Sequence, residues 1–327
     1  MSRFLVTGAT GFIGSYLVEA LTKLDHDVIA VDIGLQPESA SRAKRLTKNA
    51  HITLAEVDLT DQVAVSRLPA VDGVYHLAAL NGTQNFYTRP FSTLRNSSTP
   101  TVNLLERYRA EDLRFFFYAG SSESYAATIQ TFSWPLPTSE EVVLTAGHPT
   151  ETRYSYAVAK TLGEFACFAA QVESGIPVVI GRLHNPYGPN MGLNHVIPDF
   201  VSRGVEGRFE LHGARQTRSF IYIEDAVNAI IALSQVAIGK IVNIGTQDEI
   251  EMIALARKIM NLAGWKGQIE EYPSPPNSVD RRVPDTGLLR SLMDTSGFRS
   301  LDEGLHHTVN SMLGVQQDAD AGLAGTK

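Results

Sequence analysis

A tyrosine and a lysine stand four residues apart within residues 155–160, a segment with a helical pattern. At that spacing Tyr156 and Lys160 project from the same face of a helix. The ammonium group of Lys160 would lower the pKa of the phenol, which could then take a proton from a substrate hydroxyl. Ser121 follows an apolar run and could share that proton as a hydroxyl partner. The alternative for Ser121 is a turn serine that bonds nearby backbone groups.

A glycine-rich turn near the start of the sequence predicts a phosphate-binding site. Gly8, Gly11 and Gly14 follow an apolar run and open the amphipathic stretch 12–24, and we assign the intervening Phe12 and Ile13 to the same site. Between a strand and a helix, such glycines let the backbone approach a pyrophosphate, whose charge faces the first N–H groups of the helix. The alternative is an ordinary strand–helix turn.

The acid at the end of the second predicted strand indicates which dinucleotide would bind. Asp32 lies 18 residues after Gly14, where an acid can hydrogen-bond both hydroxyls of an adenosine ribose. Because an acid there repels a 2′-phosphate, we expect NAD rather than NADP. A helix cap or a solvated loop acid is the alternative for Asp32. Arg42, Lys44 and Arg45 leave an opening for NADP, although a solvated helix face is the simpler interpretation.

Predicted strands and helices, which must position these residues, alternate along the first 180 residues. Short apolar runs and helical patterns predict an α/β fold, a Rossmann-type doubly wound parallel sheet with helices on both faces. The run 114–120 is apolar throughout, as a central parallel strand should be. Predicted strands are residues 3–7, 28–32, 51–57, 71–77, 114–120 and 176–182. Predicted helices are residues 12–24, 38–48, 90–109 and 155–174, and residues 125–152 are predicted to form a long loop.

After residue 183 the sequence becomes rich in Pro and Gly and is predicted to return to the sheet once, through helix 224–235 and strand 241–245. We therefore predict two domains and a flexible tail. The NAD-binding domain comprises residues 1–182 plus about 223–246, the smaller discontinuous substrate domain about 183–222 plus 247–314, and the tail 315–327.

Composition excludes several classes of protein. The 327 residues are 43% hydrophobic and 19% charged with a net charge of −7, which is typical of a globular enzyme. No basic run suggests nucleic-acid binding, and no apolar stretch reaches the ~18 residues of a membrane span. The first strand begins within three residues, so no signal peptide is expected and a cytoplasmic location is predicted. No metal site is predicted, and Cys167 is expected to be a core thiol.

Together these motifs resemble the extended short-chain dehydrogenase/reductases, and among them the sugar-nucleotide epimerases, dehydratases and decarboxylases. The resemblance runs from about residue 3 to about 314 and implies NAD as cofactor and a nucleoside-diphosphate sugar as substrate. It implies a catalytic triad of Ser121, Tyr156 and Lys160. The resemblance further implies that Asp58 and Leu59 contact the adenine. It implies that the pyrophosphate and nicotinamide side of the cofactor is flanked by Leu77, Ala78 and Ala79.

Segments 182–189, 216–222 and 282–285 support the same assignment, since they resemble the family's R-x-F-N-x-Y-G-P, Q-T-R-x-F-x-Y and R-x-P-D motifs. The resemblance implies that Asn185 lies at the substrate diphosphate. Arg218 and Arg282 would meet its charges, for which guanidinium groups are well suited. A surface salt bridge is the alternative for each arginine. Four residues depart from the family pattern, namely His184, Ala126, Ser97 and Pro100.

Glu123 is the residue that discriminates between reactions. Its context, Ser121-Ser122-Glu123, looks like the T-S-E of nucleotide-sugar dehydratases and decarboxylases, whereas 4-epimerases tend to carry a small residue there. In a dehydratase, oxidation at C4 acidifies the C5 proton, a carboxylate abstracts it, and the C6 hydroxyl leaves as water. In a decarboxylase the C4 ketone drives loss of the C6 carboxylate, and Glu123 has a supporting role. Ser122 is assigned to substrate binding.

The favoured function is therefore the modification of a nucleoside-diphosphate sugar through transient oxidation at C4, with elimination at C5/C6. This prediction makes the protein a lyase, of the 4,6-dehydratase or decarboxylase type. A 4-epimerase is the alternative, and a non-catalytic NAD-binding regulatory protein is a further one. We also expect a homodimer, because helices 90–109 and 155–174 carry apolar faces and related enzymes pair through these helices.

Overall fold

The computed structural model describes residues 1–34, 37–193, 195–275 and 278–314, and these ranges contain a seven-stranded parallel sheet. Every strand predicted from the sequence is present within a few residues of its expected bounds. The strands are β1 (Arg3–Thr7), β2 (Asp27–Asp32), β3 (Ile52–Glu56), β4 (Gly73–His76), β5 (Phe115–Ser121), β6 (Val178–Leu183) and β11 (Ile241–Ile244).

The strand order is β3-β2-β1-β4-β5-β6-β11, and every neighbouring pair is parallel. The chain runs outward from β1 to β3 and then crosses back to β4 on the other side of β1. Ligands of open parallel sheets bind at the carboxyl ends of the strands, at such a reversal. The predicted Rossmann-type α/β fold is therefore confirmed, and it places the expected site beside β1 and β4.

Helices cover both faces of this sheet, because β5 is apolar on each side. Phe115 and Phe117 point to one core and Phe116 and Tyr118 to the other, and all four side chains are fully buried. The first core is covered by α1 (Phe12–Lys23), α2 (Pro37–Leu46) and α9 (Ile223–Val236). The second is covered by α3 (Gln62–Ser66), α5 (Pro90–Tyr108) and α7 (Ser155–Ser174). The thiol of Cys167 is buried in this second core, as predicted.

Short strands after β6 form three small sheets that carry the polar segments of the second half. Their strands are β7 (Pro186–Tyr187), β8 (Glu210–His212), β9 (Thr217–Ser219), β10 (Ile221–Tyr222), β12 (Glu249–Glu251), β13 (Glu270–Tyr272) and β14 (Arg281–Arg282). The remaining helices are α4 (Thr83–Thr88), α6 (Ala126–Phe132), α8 (Val196–Val205), α10 (Met252–Ala263), α11 (Gly287–Leu292) and α12 (Leu301–Met312).

The prediction of one long loop over residues 125–152 is wrong, because α6 lies inside it. Tyr125, Ala127 and Ile129 are buried in a small apolar cluster with Val142 and Tyr154, and this packing stabilises the short helix. The Trp- and Pro-rich residues that follow concealed its pattern in the sequence.

The division into two domains is not tested by these observations and stays a prediction. The predicted tail, residues 315–327, lies outside the described residues. Within the described ranges, no helix is both long and apolar enough to cross a membrane. The cytoplasmic location likewise stays a prediction.

Candidate active site

A cavity of about 950 Å³ opens at the carboxyl edge of the sheet. All of the residues that the sequence analysis assigned to the cofactor, to the substrate and to catalysis line this cavity. They come from the carboxyl ends of six strands, β1 to β6, from α7 and from the small sheets of the second half. The structure therefore brings the predicted residues together, while their individual roles stay predictions.

The turn after β1 can form only with glycine at its ends. Gly8 has a φ of +66°, and a Cβ atom there would lie 3.0 Å from the Cα of Ala78. A Cβ atom on Gly14 would lie 2.0 Å from the carbonyl oxygen of Gly8. The absence of these side chains leaves the backbone and the first turn of α1 open to the cavity, which suits a pyrophosphate.

A buried histidine holds the ends of β1 and β4 together beside this turn. The Thr7 hydroxyl accepts hydrogen bonds from the backbone N–H groups of Leu77 and Ala78, both at 3.2 Å, and contacts His76 Nδ1 at 2.7 Å. His76 Nε2 bonds the Thr101 hydroxyl at 3.0 Å. Burial lowers the pKa of His76 to about 3, so the ring is neutral at ordinary pH. His76 thus fixes the cavity wall formed by Leu77 and Ala78.

Asp32 lies at the end of β2 and faces the glycine turn. Its carboxylate accepts hydrogen bonds from the backbone N–H and hydroxyl of Thr10 at 2.8 and 2.6 Å, and from the N–H of Ile33 at 2.9 Å. A carboxylate offers about four acceptor positions, so capacity remains for ribose hydroxyls. Arg42 Nε donates to the Thr10 carbonyl at 2.7 Å, so this side chain braces the turn instead of lying on a solvated helix face.

Asp58 and Leu59 lie just after β3 on the wall expected to meet the adenine. The Asp58 carboxylate accepts two hydrogen bonds from Thr60, both at 2.8 Å. The Leu59 carbonyl accepts a bond from the Asn103 side chain on α5 at 2.9 Å. These bonds fix the loop that would flank the base.

Tyr156 and Lys160 are both buried on the cavity side of α7, at 6% and 2% exposure. Lys160 Nζ donates to the Ala119 carbonyl at 2.8 Å and lies 5.7 Å from the centre of the Tyr156 ring. Burial lowers the pKa of Lys160 to about 8. The pKa of Tyr156 is raised, first by burial and then by the charge of Glu123. Burial and Glu123 thus outweigh any lowering of the pKa of the phenol, and the effect expected of Lys160 stays a prediction.

Ser121 makes the hydrogen bonds that each of its two expected roles requires. Its hydroxyl accepts a hydrogen bond from the backbone N–H of Glu123 at 3.2 Å, as a turn serine does. The same side chain hydrogen-bonds Tyr156 and opposes the rise in the pKa of the phenol. Ser122 is buried and lines the cavity.

Phe86, on α4, covers the ring of Tyr156 and was not identified from the sequence. The two rings are stacked, with centroids 4.8 Å apart and an interplanar angle of 13°. Phe86 is itself only 3% exposed, so it shields one face of the phenol from water. A six-residue helix carries no periodic pattern that could have revealed this contact.

Arg153 and Arg282 hold the carboxylate of Glu123 from both sides. Arg282 Nη1 donates to Glu123 Oε1 at 2.7 Å, and Arg153 Nη1 donates to Glu123 Oε2 at 2.8 Å. Burial alone would raise the pKa of Glu123, but the charges and hydrogen bonds of the arginines outweigh it and lower the pKa to about 2. Glu123 is therefore ionised and a weak base. Arg153 was also missed in the sequence analysis, although it stands only three residues before Tyr156.

Arg218 lies directly beside Arg282, because β9 and β14 pair in parallel with these two residues in register. Its guanidinium donates to the carbonyl oxygens of Thr217 and Asp280 at 2.7 and 3.1 Å and to the Gln216 side chain at 3.3 Å. Burial, followed by the charge of Arg282, lowers the pKa of Arg218 to about 9. In the described part of the chain Arg218 forms no ion pair, so an anion in the cavity would relieve this unfavourable environment.

Asn185, at the end of β6, has a φ of +44° and donates from its side chain to the Ser219 carbonyl at 2.8 Å. This bond fixes the start of the small sheets relative to β6. The role of Asn185 at a diphosphate stays a prediction.

A buried polar network supports the cavity from below. Arg182 donates to both carboxylate oxygens of Glu164 and, at 2.7 Å, to the Tyr125 hydroxyl. Tyr125 and His184 both bond Asn243 Oδ1, at 2.8 and 3.0 Å. Burial lowers the pKa of His184 to about 3. The histidine found where the family usually has phenylalanine is thus a neutral hydrogen-bonding residue of this network.

Comparison with known proteins agrees with this geometry. Residues 4–245 match the model of the NAD dependent epimerase/dehydratase family. The chain is 31% identical to a UDP-N-acetyl-alpha-D-glucosaminuronate decarboxylase of Bacillus cytotoxicus, with 97% of this chain and 99% of that protein covered. It is 29% identical to UDP-glucuronic acid decarboxylase 1 of Xenopus tropicalis, with 94% and 71% covered.

The fold matches that of a solved structure, UDP-glucuronic acid 4-epimerase from Bacillus cereus in complex with UDP-glucuronic acid and NAD. The TM-score is 0.84 and the identity 25%, over 96% of this chain and 100% of that one. The family match spans most of the chain, and the glycine turn and Asp32 leave space and acceptors for a dinucleotide. This chain is a member of the NAD dependent epimerase/dehydratase family, an extended short-chain dehydrogenase/reductase with NAD as its cofactor.

Proposed function

We propose that the protein is a decarboxylase that acts on a nucleoside-diphosphate sugar with a carboxylate at C6. The observation that carries this proposal is the state of Glu123, whose two carboxylate oxygens each accept a hydrogen bond from an arginine. Decarboxylation is one of the two eliminations that the sequence predicted, and this observation favours it over dehydration.

Dehydration requires a base that removes the C5 proton. If Glu123 took up that proton, Arg153 and Arg282 would lose the buried counter-ion that both of them bond, which costs free energy. The pKa of Glu123 is about 2, because the attraction of Arg282 and Arg153 outweighs the effect of burial. Decarboxylation needs no such base, since the bond between C5 and C6 breaks instead of the bond between C5 and hydrogen.

The residues of the cavity suit such a reaction. Tyr156 would take the proton of the C4 hydroxyl, with Ser121 as its hydrogen-bonding partner. The glycine turn and Asp32 would hold NAD, which would supply a reversible hydride acceptor for C4. The resulting C4 ketone takes up the electron pair of the C5–C6 bond as carbon dioxide leaves, and the enolate then gains a proton at C5 from solvent. Phe86 keeps water from one face of the phenol throughout.

The charge of the cavity also favours an acidic sugar. Arg153, Arg218 and Arg282 line it together with Glu123, so these four side chains carry a surplus of positive charge. A diphosphate and a sugar carboxylate would balance that surplus, and guanidinium groups bind both kinds of anion well. The similar decarboxylases named above act on UDP-linked uronic acids by their names, so UDP is the nucleotide we propose.

A 4-epimerase of a UDP-linked uronic acid is the second candidate. It is favoured by the likeness to the Bacillus cereus epimerase, which was crystallised with UDP-glucuronic acid. Both candidates share the substrate class and the oxidation at C4, and they differ in whether the carboxylate is lost.

The substrate class can be tested with the purified protein, NAD, UDP-glucuronic acid and UDP-glucose. We expect UDP-glucuronic acid to be consumed and UDP-glucose to be unchanged, with the Tyr156→Phe variant as the inactive control. Consumption of UDP-glucose with loss of water would instead support a 4,6-dehydratase and contradict the proposal.

We also propose that the protein pairs with a second copy of itself through α5 and α7. On α7 the apolar side chains of Leu162, Phe165 and Val172 are 43%, 73% and 87% exposed. Their spacing of three and seven residues puts them on one face of the helix. Val102 on the neighbouring α5 is 49% exposed. A second copy that covered this face would bury all of these side chains.

A further inference from the structure

Arg153 enters the cavity from a short turn, residues Thr152–Tyr154, that leads directly into α7. Its side chain is only 8% exposed, although a charged group is rarely buried without compensation. One of its terminal nitrogens bonds Glu123 at 2.8 Å. Arg153 also hydrogen-bonds Tyr87 of α4, and its guanidinium lies 5.3 Å from the centre of the Tyr154 ring. The side chain is therefore held in place from several directions.

Arg153 nevertheless has a hydrogen-bond donor without an acceptor. Its Nε atom is buried and has no hydrogen-bond partner, and the same is true of Nε in Arg282. A buried N–H group without an acceptor costs free energy. Both arginines line the cavity, so an anion that bound there would meet guanidinium groups whose hydrogen bonds are not all made.

The two arginines of this cluster reach Glu123 from different segments of the chain. Arg282 stands in register beside Arg218, the residue expected at the diphosphate. Arg153 precedes Tyr156 by three residues, and Tyr156 is expected at C4 of the sugar. In a hexose joined to the diphosphate through C1, C4 lies across the ring, and the C6 substituent is attached to the carbon next to C4. The arginine on the Tyr156 side is thus the one that C6 would approach.

We propose that Arg153 is a specificity-determining residue that binds the C6 carboxylate of the sugar. Glu123 serves as its resident counter-ion, which keeps the guanidinium in position before substrate binds. This inference rests on the proposed substrate class and adds which side chain recognises it.

The test measures binding in the Tyr156→Phe background, where turnover is blocked, with NAD present. The probes are UDP, UDP-glucose and UDP-glucuronic acid, and the added substitution is Arg153→Gln. We expect this substitution to weaken the binding of UDP-glucuronic acid about 10- to 100-fold, the range for a charge-assisted hydrogen bond. Binding of UDP should change less than about twofold, because Arg153 is not expected to touch the diphosphate. Arg281→Gln, which removes the neighbouring and exposed arginine of β14, should change none of the three affinities.

The outcomes separate this inference from the proposed function. If the Tyr156→Phe protein itself binds UDP-glucose as tightly as UDP-glucuronic acid, the proposed substrate class is wrong and Arg153 has no carboxylate to recognise. If it prefers UDP-glucuronic acid and Arg153→Gln keeps that preference, the substrate class stands and the role of Arg153 is wrong. If the Gln variant does not fold, the same binding measurements are made with Arg153→Lys, which keeps the charge but loses the planar guanidinium group. A threefold or greater loss for UDP-glucuronic acid alone supports the proposal, and an unchanged affinity contradicts it.

Discussion

The carboxylate of Glu123 and the guanidinium of Arg282 are joined by a hydrogen bond of 2.7 Å between residues 159 positions apart in the sequence. Glu123 follows the central strand β5, whereas Arg282 ends the short strand β14. Their side chains are 15% and 7% exposed. This contact ties the predicted cofactor side of the cavity to the predicted substrate side, and it determines what Glu123 can do chemically.

The first prediction concerns stability in acid. The pKa of Glu123 is about 2 in the folded protein, against an ordinary value of 4.5. A carboxyl group with a lowered pKa in the folded state stabilises the protein when the pH is above its pKa in the unfolded state. This stabilisation is lost as the pH falls through the pKa of the folded state. We therefore expect the free energy of unfolding to fall by about 3 kcal/mol between about pH 5 and pH 2 because of this one group. Chemical denaturation at a series of pH values measures it.

The Glu123→Gln variant should be less stable at pH 7, because Arg153 and Arg282 lose their counter-ion, and its decline in acid should be correspondingly shallower. Glu206→Gln, at an exposed surface pair with Arg208, provides the control and should leave the decline unchanged. Parallel acid profiles for wild type and Glu123→Gln would contradict the assigned pKa.

The second prediction concerns the phenol of Tyr156. Tyr156→Phe removes the hydroxyl but keeps the ring that stacks on Phe86, so the fold should be preserved. Turnover should fall about 100-fold or more, the usual contribution of a general acid–base group. NAD binding, followed by fluorescence titration, should be nearly unchanged. A variant that kept more than roughly a tenth of the activity would remove Tyr156 from the mechanism.

The third prediction concerns the choice of cofactor. Asp32→Ala should weaken NAD binding by about 10- to 100-fold, the range for lost hydrogen bonds to a charged acceptor. Its preference for NAD over NADP should narrow, because the charge that repels a 2′-phosphate is gone. Titration of both cofactors with both proteins measures these effects. Tighter binding of NADP than of NAD by the wild type would mean that Asp32 has been misassigned.

The fourth prediction concerns the homodimer. Phe165→Glu places a charge in the centre of the exposed apolar face of α7 and should shift the protein from dimer to a monomer of 35.7 kDa. Phe132→Glu is the matched control, because Phe132 is similarly exposed, at 63%, but lies on α6. Sedimentation velocity at micromolar concentration distinguishes the species. A wild-type monomer, or dissociation in the control alone, would reject pairing through α7.

Much of the fold could be predicted because local patterns determine it. The apolar run of β5 and the glycine turn before α1 each define an element and its surroundings within a few residues. The helix α6 could not be predicted, since it is stabilised by contacts with Val142 and Tyr154, which are distant in sequence.

The cavity residues that belong to motifs were predicted, whereas those defined by packing were not. Phe86 matters because its ring stacks on Tyr156, and Arg153 matters because it meets Glu123, 30 residues earlier in the chain. No pattern of residue spacing in the sequence indicates either contact. The pKa shifts of Glu123 and Tyr156 could not be predicted from the sequence either, because they depend on burial and on charges that only the fold brings together.

The central claim is decarboxylation, and the fate of the carboxylate in deuterium oxide tests it most directly. The protein is incubated with NAD and UDP-glucuronic acid labelled with ¹³C at C6, and the released gas and the nucleotide sugar are analysed by mass spectrometry. The account predicts labelled carbon dioxide and a UDP-pentose that carries one solvent deuterium at C5. Conversion to the C4 epimer, a UDP-hexuronic acid that keeps its label, contains no deuterium and is separated from the substrate by chromatography, would contradict decarboxylation and identify the protein as a 4-epimerase.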